Sequence, residues 1–182
     1  MGLVTLDEKV AAAFEPGAPP PAERLAQLQR LAAAGIPVQG RLDPILPGIT
    51  DSPEDLGRLL AALARAGARG VAASTLFLRP AVHHALRKGL ADRGLCARLL
   101  GHFARPQPLR MCGTSSRVMA LPPETRSAVH ARVREIARRL GMAVHVCRCK
   151  NPDMPAEPCH INGDWSGMEG SGQMELFPDK KA

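Results

Sequence analysis

Apolar positions along the first eighty residues alternate between two rhythms, a short continuous run and a helical repeat. Gly2–Leu6 is a brief apolar run that reads as a strand, followed by a helical turn over Asp7–Phe14 and a proline-rich loop to Pro21. Ala22–Ala34 puts Leu25, Leu28, Leu31 and Ala32 on one helical face, and Gly35 stops it. Ile36–Leu42 reads as the next strand, and Asp43–Asp51 as a second proline-rich loop. Ser52 then caps a helix that has Pro53 at its first position and Glu54 and Asp55 in its first turn. Leu56, Leu59, Leu60 and Leu63 form its buried stripe, Gly67 ends it, and Gly70–Leu78 is the third strand.

The three strands begin roughly 34 residues apart, the spacing of successive parallel strands joined by crossover helices. Beyond Pro80 the rhythm changes. Ala81–Ala104 reads as one or two helices, Arg105–Met119 as a loop around Cys112, and Pro122–Leu140 as a helix. Val129, Val133, Ile136, Ala137 and Leu140 line the buried side of that helix, and Arg132, Arg134, Arg138 and Arg139 decorate the rest. A charged face of this kind is a solvated surface or a track for phosphates. Ala143–Val146 adds a short strand. The predicted fold class is α/β, an incomplete (β/α) barrel of three parallel βα units with a helical C-terminal extension and a Cys-rich loop. Residues 1–80 form the partial barrel, 81–163 the extension with its cysteine site, and 164–182 a Gly-, Ser- and charge-rich tail that reads as disordered.

Composition refines this picture in two ways. The chain of 182 residues is 45% apolar, enough for a core, and carries a net charge of +7. That excess suits nucleic acid or another polyanion, although the arginines do not form one block. No apolar run reaches transmembrane length and no signal-peptide pattern precedes the five cysteines. The expectation is therefore a cytoplasmic protein without a membrane partner, whose cysteines are ligands or thiols rather than disulfides.

Three of those cysteines fall in one window, Cys147-x-Cys149 followed by Cys159-His160, at the end of the predicted strand Ala143–Val146. Pro152, Pro155 and Pro158 keep the intervening loop out of helix and central strand. Thiolates converging from a stiff loop suit zinc or an iron–sulfur cluster. Cys147, Cys149 and Cys159 leave a tetrahedral site one ligand short, and His160 and Cys112 are the candidates for the fourth. A small buried cysteine cluster without metal is the alternative. In parallel βα sheets ligands bind at the carboxyl ends of the strands, which makes Thr5, Arg41–Gly48 and Leu76–Pro80 a candidate functional rim.

Residues 3–80 resemble the second half of the radical SAM barrel, and more narrowly the spore photoproduct lyase-like branch, often labelled DNA repair photolyases. The resemblance is carried by a strand ending in Thr5, the pair Asp7-Glu8, the loop Glu15-Pro16 with Pro19, Arg24 in the following helix, Gly35–Val38, and Pro44–Gly48 with Asp51. It implies that these segments are strands four to six of a six-stranded partial barrel. It also implies S-adenosylmethionine (AdoMet) as cofactor, with Thr5 facing its methionyl or ribose group. Arg41 and the backbone from Pro44 would sit around the ribose and carboxylate, and Leu76 and Leu78 would contact the adenine. Arg24 is placed to pair with Glu15 as a surface ion pair.

One departure from the family pattern weighs heavily. Radical SAM enzymes hold their catalytic 4Fe–4S cluster on a C-x-x-x-C-x-x-C loop, and this sequence has no such motif. Cys147-x-Cys149 differs from it in both spacing and position. The expected partner is therefore an N-terminal half-barrel polypeptide that carries the motif. The leading expectation is the C-terminal portion of a radical SAM iron–sulfur enzyme acting on nucleic acid. The alternatives are a non-enzymatic zinc-binding basic module and an inactive truncated remnant.

Overall fold

The computed structural model describes residues 1–111 and 117–158. Helix α1 spans Glu8–Phe14, with the Asp7 carboxylate accepting from the Lys9 and Val10 amides at its start. Helix α2 spans Pro21–Ala33, strand β1 Gln39–Ile45, helix α3 Pro53–Arg65 and strand β2 Gly70–Thr75. The α3 start is built as its sequence dictates: Ser52 accepts from the Asp55 amide and Pro53 follows it. Helices α4 (Pro80–Gly89) and α5 (Arg93–Gly101) come next, then strands β3 (Gln107–Arg110) and β4 (Arg117–Ala120), helix α6 (Pro123–Arg139) and strand β5 (Ala143–His145).

The main sheet is parallel, in the order β1-β2-β5. It is the sheet of an incomplete barrel, and it draws strands from either side of residue 80. The predicted first strand, Gly2–Leu6, is reduced to a parallel bridge between Gly2 and Arg41. Arg41 donates its amide to the Met1 carbonyl and its own carbonyl accepts from Leu3, so Met1–Leu3 rides on the free edge of β1. The physical reason is the bend at Leu6, where the Thr5 hydroxyl accepts the Asp7 amide and turns the chain into α1.

Helices α2, α3 and α6 pack on one face of this sheet. Leu28, Leu56, Leu60, Leu63, Val129 and Val133 meet Leu3, Leu42, Val71 and Val146 in a continuous core. Arg41 and Asp43 sit two residues apart on β1, so they point to the other face, in register with Ala72 of β2 and His145 of β5. That face is the polar one. A second apolar cluster caps the carboxyl ends of the strands, where Leu46, Leu76 and Leu78 meet Leu99, Phe103 and Leu121.

Within the segment 105–119, expected as a loop, Gln107–Arg110 and the residues from Arg117 pair antiparallel as β3 and β4 instead. Leu109 and Val118 are buried across from each other and pack with Phe77, and Leu78 bridges to Met119. A hairpin this short, with Pro108 in one strand, owes its existence to that apolar face rather than to strand propensity.

Candidate functional site at the carboxyl rim

The turn that follows β1 is fixed by its own side chains. Thr50 Oγ1 accepts the Leu46 amide at 2.9 Å, and Asp51 Oδ1 accepts the Gly48 amide at 2.8 Å. Gly48 has φ of +71°, a left-handed backbone that favours glycine, and a Cβ there would also push the exposed His102 ring aside. From α6, Arg132 donates to the carbonyl of Asp51 and ties the turn to the helix layer.

This turn is one wall of a cleft of about 440 Å³, lined by Thr5, Asp7, Ile49, Asp51, Ser52 and Asp55, with Arg98 reaching in from α5. The Ser52 hydroxyl, 2.7 Å from Asp55 Oδ2, holds the Asp55 carboxyl below the usual range against partial burial, helped by Arg58 at 2.5 Å. The cleft is thus a carboxylate-rich pocket with a single arginine in its lining, which suits a ligand carrying cationic groups and a carboxylate.

The rim residues expected from the sequence divide among three places. Thr5 is buried and lines the cleft. Arg41 lies on the polar face of the sheet, 59% exposed, with its guanidinium 2.9 Å from Asp43. Pro44 follows Asp43 through a cis peptide bond. Leu76 and Leu78 are buried in the second apolar cluster. Arg24 does pair with Glu15, but not as a surface contact. It is almost fully buried, makes a two-pronged bond to both Glu15 oxygens at 3.1 and 2.8 Å, and donates to the Gly2 carbonyl. That single residue joins the proline loop, α2 and the edge segment.

At the far end of the sheet β5 leads directly into Cys147 and Cys149, both half-buried. The loop is closed on itself: Glu157 donates its amide to the Val146 carbonyl, its carbonyl accepts from Arg148, and its carboxylate accepts from the Val146 amide at 2.8 Å. Burial pushes the Glu157 carboxyl up, but these backbone amides and Arg134, 2.9 Å away, bring it below the usual range. Lys150 forms an ion pair with Asp43, which brings the cysteine loop to the polar face beside Arg41. Cys112, Cys159 and His160 lie outside the described residues. Among the described residues no three His, Cys, Asp or Glu side chains converge on a metal-sized point.

Sequence reasoning missed Arg126. It is fully buried and donates to the Leu121 carbonyl at 2.9 Å, to Asn151 Oδ1 at 2.9 Å and to Asp153, with Met154 Sδ at 3.3 Å. His130, one turn on, is also fully buried, and neither ring nitrogen has a partner among the described residues. Burial and the nearby Arg134 and Arg126 lower its pKa to about 4, against a smaller opposing pull from Glu157. The available signal was spacing: Arg126, His130 and Arg134 stand four apart on one helical face, and Asp153 and Glu157 stand four apart in the loop.

The remaining arginines expected to track phosphates on α6 are engaged within the chain. Arg138 and Arg139 both hold Glu135, and Arg134 holds Glu157. A run of cations without ion-pair partners lies elsewhere. Between Arg79 and Ala120 the sequence carries seven arginines and one lysine against one acid, Asp92. Asp92 is occupied as the cap of α5. All eight cations are exposed, and none forms an ion pair among the described residues. Arg110 and Arg117 stand directly opposite each other across the hairpin, a like-charge pair that disfavours the fold.

No protein-family model matches the chain. It is 39% identical over 79 residues to uncharacterized proteins of Mycobacterium tuberculosis and Mycobacterium bovis, a match that covers 43% of this chain and 23% of each relative. Among solved structures it is similar to spore photoproduct lyase complexed with dinucleoside spore photoproduct, with a TM-score of 0.59 at 16% identity. It is likewise similar to a mutant of that enzyme with bound AdoMet and dinucleoside spore photoproduct, with a TM-score of 0.59 at 15% identity. These matches cover 79–80% of this chain and 42–43% of the neighbour, so the chain spans less than half of the enzyme whose fold it shares. The fold is therefore that of part of the spore photoproduct lyase barrel. No helix among the described residues is long and apolar enough to cross a membrane.

Proposed function

We propose that this chain is the carboxyl-terminal part of a radical SAM system that acts on nucleic acid. The observation that supports the reading is the cleft at the carboxyl ends of the strands, in a fold shared with an enzyme solved with AdoMet bound. Thr5 and the turn Gly48–Asp51 would form the floor for the cofactor. Asp7, Asp51 and Asp55 would face its ammonium and sulfonium charges, and Arg98 its carboxylate. When bound, AdoMet would supply a deoxyadenosyl radical on one-electron reduction. The reducing 4Fe–4S cluster sits on a C-x-x-x-C-x-x-C segment that these 182 residues lack, and we assign it to a partner half-barrel.

The residues of this chain bind, orient and exclude water; the cofactor carries the radical chemistry. The exposed cations Arg87, Lys88, Arg105, Arg110 and Arg117 are the docking surface for the phosphate backbone. An uncompensated Arg110–Arg117 pair lowers stability in the isolated chain and is relieved when a phosphate sits between the two.

Equilibrium dialysis with radiolabelled AdoMet tests the cofactor arm. Binding that weakens by about tenfold in Thr5→Val or Asp51→Asn is the expected result. Equal binding by the wild type and both variants would remove the cleft from the reading. Anaerobic reduction of this chain alone, after iron and sulfide reconstitution, should yield no 5′-deoxyadenosine. Its appearance would show that the chain's own cysteines support the reaction.

A further inference from the structure

We infer that Arg126 is a positioning residue for the turn Cys147–Asn151 that carries both Cys147 and Cys149, acting through Asn151. The inference deepens the reading above, because it treats the cysteine loop as part of a working site.

Arg126 sits in the first turns of α6 with no exposed surface. A buried guanidinium is costly unless its donors are matched. Here they are spread over the Leu121 carbonyl on its own side and over Asn151 and Asp153 on the loop. Asn151 is fully buried as well. Its side-chain amide donates to the Cys147 carbonyl at 3.1 Å, and its backbone amide donates to the same oxygen at 3.2 Å. Lys150 adds a third donor to that carbonyl through its amide, at 3.3 Å. The Cys147 carbonyl is therefore the point on which the turn closes, and Arg126 fixes the orientation of the side chain that closes it.

A second anchor comes from the opposite side. The Lys150 ammonium reaches Asp43 on β1, across β2, while Arg126 and Arg134 hold Asp153 and Glu157 from α6. The cysteine segment is thus strapped over the carboxyl end of the sheet from both faces. Guanidinium geometry is also specific: an ammonium at the same place cannot satisfy Leu121, Asn151 and Asp153 together.

The test uses the full chain with oxygen excluded. Iodoacetamide labelling of Cys147 and Cys149 is followed by peptide mass spectrometry, with the buried Cys96 as internal reference. Arg126→Lys and Asn151→Ala should each raise labelling of Cys147 and Cys149 by about tenfold while Cys96 stays unchanged. Arg139→Lys, on the exposed side of α6, should change nothing.

Unchanged labelling of Cys147 and Cys149 in folded Asn151→Ala would overturn the inference. So would an equal rise at Cys96, which would mark general loosening. If Arg126→Lys fails to fold, Asn151→Ala decides alone. Titration of the same proteins with zinc ion separates this inference from the metal reading. A wild type that binds no zinc, yet shows the labelling contrast, retires the zinc-ligand role and leaves the positioning role standing.

Discussion

Arg24, Arg126 and Arg134, beside the parallel sheet, each hold a carboxylate that lies elsewhere in the chain, 9 to 27 positions away. Arg87, Arg105, Arg110 and Arg117, between β2 and α6, hold none among the described residues. The same residue type therefore does two kinds of work. Arg24 and Arg126 are cross-links whose planar forks each meet several acceptors at once, and Arg134 ties α6 to Glu157. Between β2 and α6 arginine is left unneutralised on a surface with one acid, and two of its members face each other at the cost of some stability. The net charge of +7 thus understates the local field, since the acids are concentrated outside that segment.

The comparison is most easily broken at Arg126. Arg126→Met leaves Asn151 and Asp153 without their partner, and should cost about 3 kcal/mol in a urea melt. A loss below about 1 kcal/mol would show that the cross-link is dispensable. His130, next to it, offers a pH test. In the unfolded chain its imidazole protonates near pH 6.5, and in the folded chain only near 4, because burial and Arg134 oppose the charge. The unfolded state binds more protons through this window. Stability is therefore full above the upper value and falls as pH drops toward the lower one, by up to about 3 kcal/mol. His130→Leu should flatten that part of the profile, and an unchanged slope would assign the acid loss to carboxylates. Arg24→Ala comes next, at about 2 kcal/mol, through the bonds to Glu15 and the Gly2 carbonyl.

The other side of the comparison predicts the smallest change in stability. Arg105→Gln, Arg110→Gln and Arg117→Gln combined should alter the melt by no more than about 0.5 kcal/mol. The same triple variant should lower the salt slope of duplex DNA binding by about 0.9 for each phosphate no longer neutralised, read by fluorescence anisotropy. A salt slope equal to that of the wild type would show that these cations do not meet the phosphates.

What the sequence disclosed follows the same division. Local chemistry was legible: Ser52 and Pro53 marked the start of α3, the leucine stripe marked its buried face, and the runs around Gly40 and Val71 marked β1 and β2. Arg24 and Glu15 were recognisable as a pair, although their burial was not, since burial depends on how the edge segment folds over them. The hairpin β3–β4 was hidden because four-residue strands containing Pro108 carry no strand signal of their own. Arg126 was hidden for a different reason. On the helix pattern it is one arginine among several, and only the return of the loop through Asn151 and Asp153 makes it special. Of the expected metal ligands only Cys147 and Cys149 fall within the described residues, so the sequence alone speaks for the other three.

The pairing of β2 with β5 has a consequence for how the chain reaches this state in time. Gly70 meets Ala143 about seventy positions later, with two helices, a hairpin and α6 in between. Val71 and the leucines of α3 stay partly open until Val129, Val133 and Val146 arrive to close the core. During synthesis the first βα units must therefore wait, half-covered, while the intervening segment leaves the ribosome. Such distant contacts slow folding and lengthen the exposure of apolar surface. Shortening the connection between Leu78 and Leu121 should speed refolding, whereas changes within α1 or α2 should leave the slowest phase as it is.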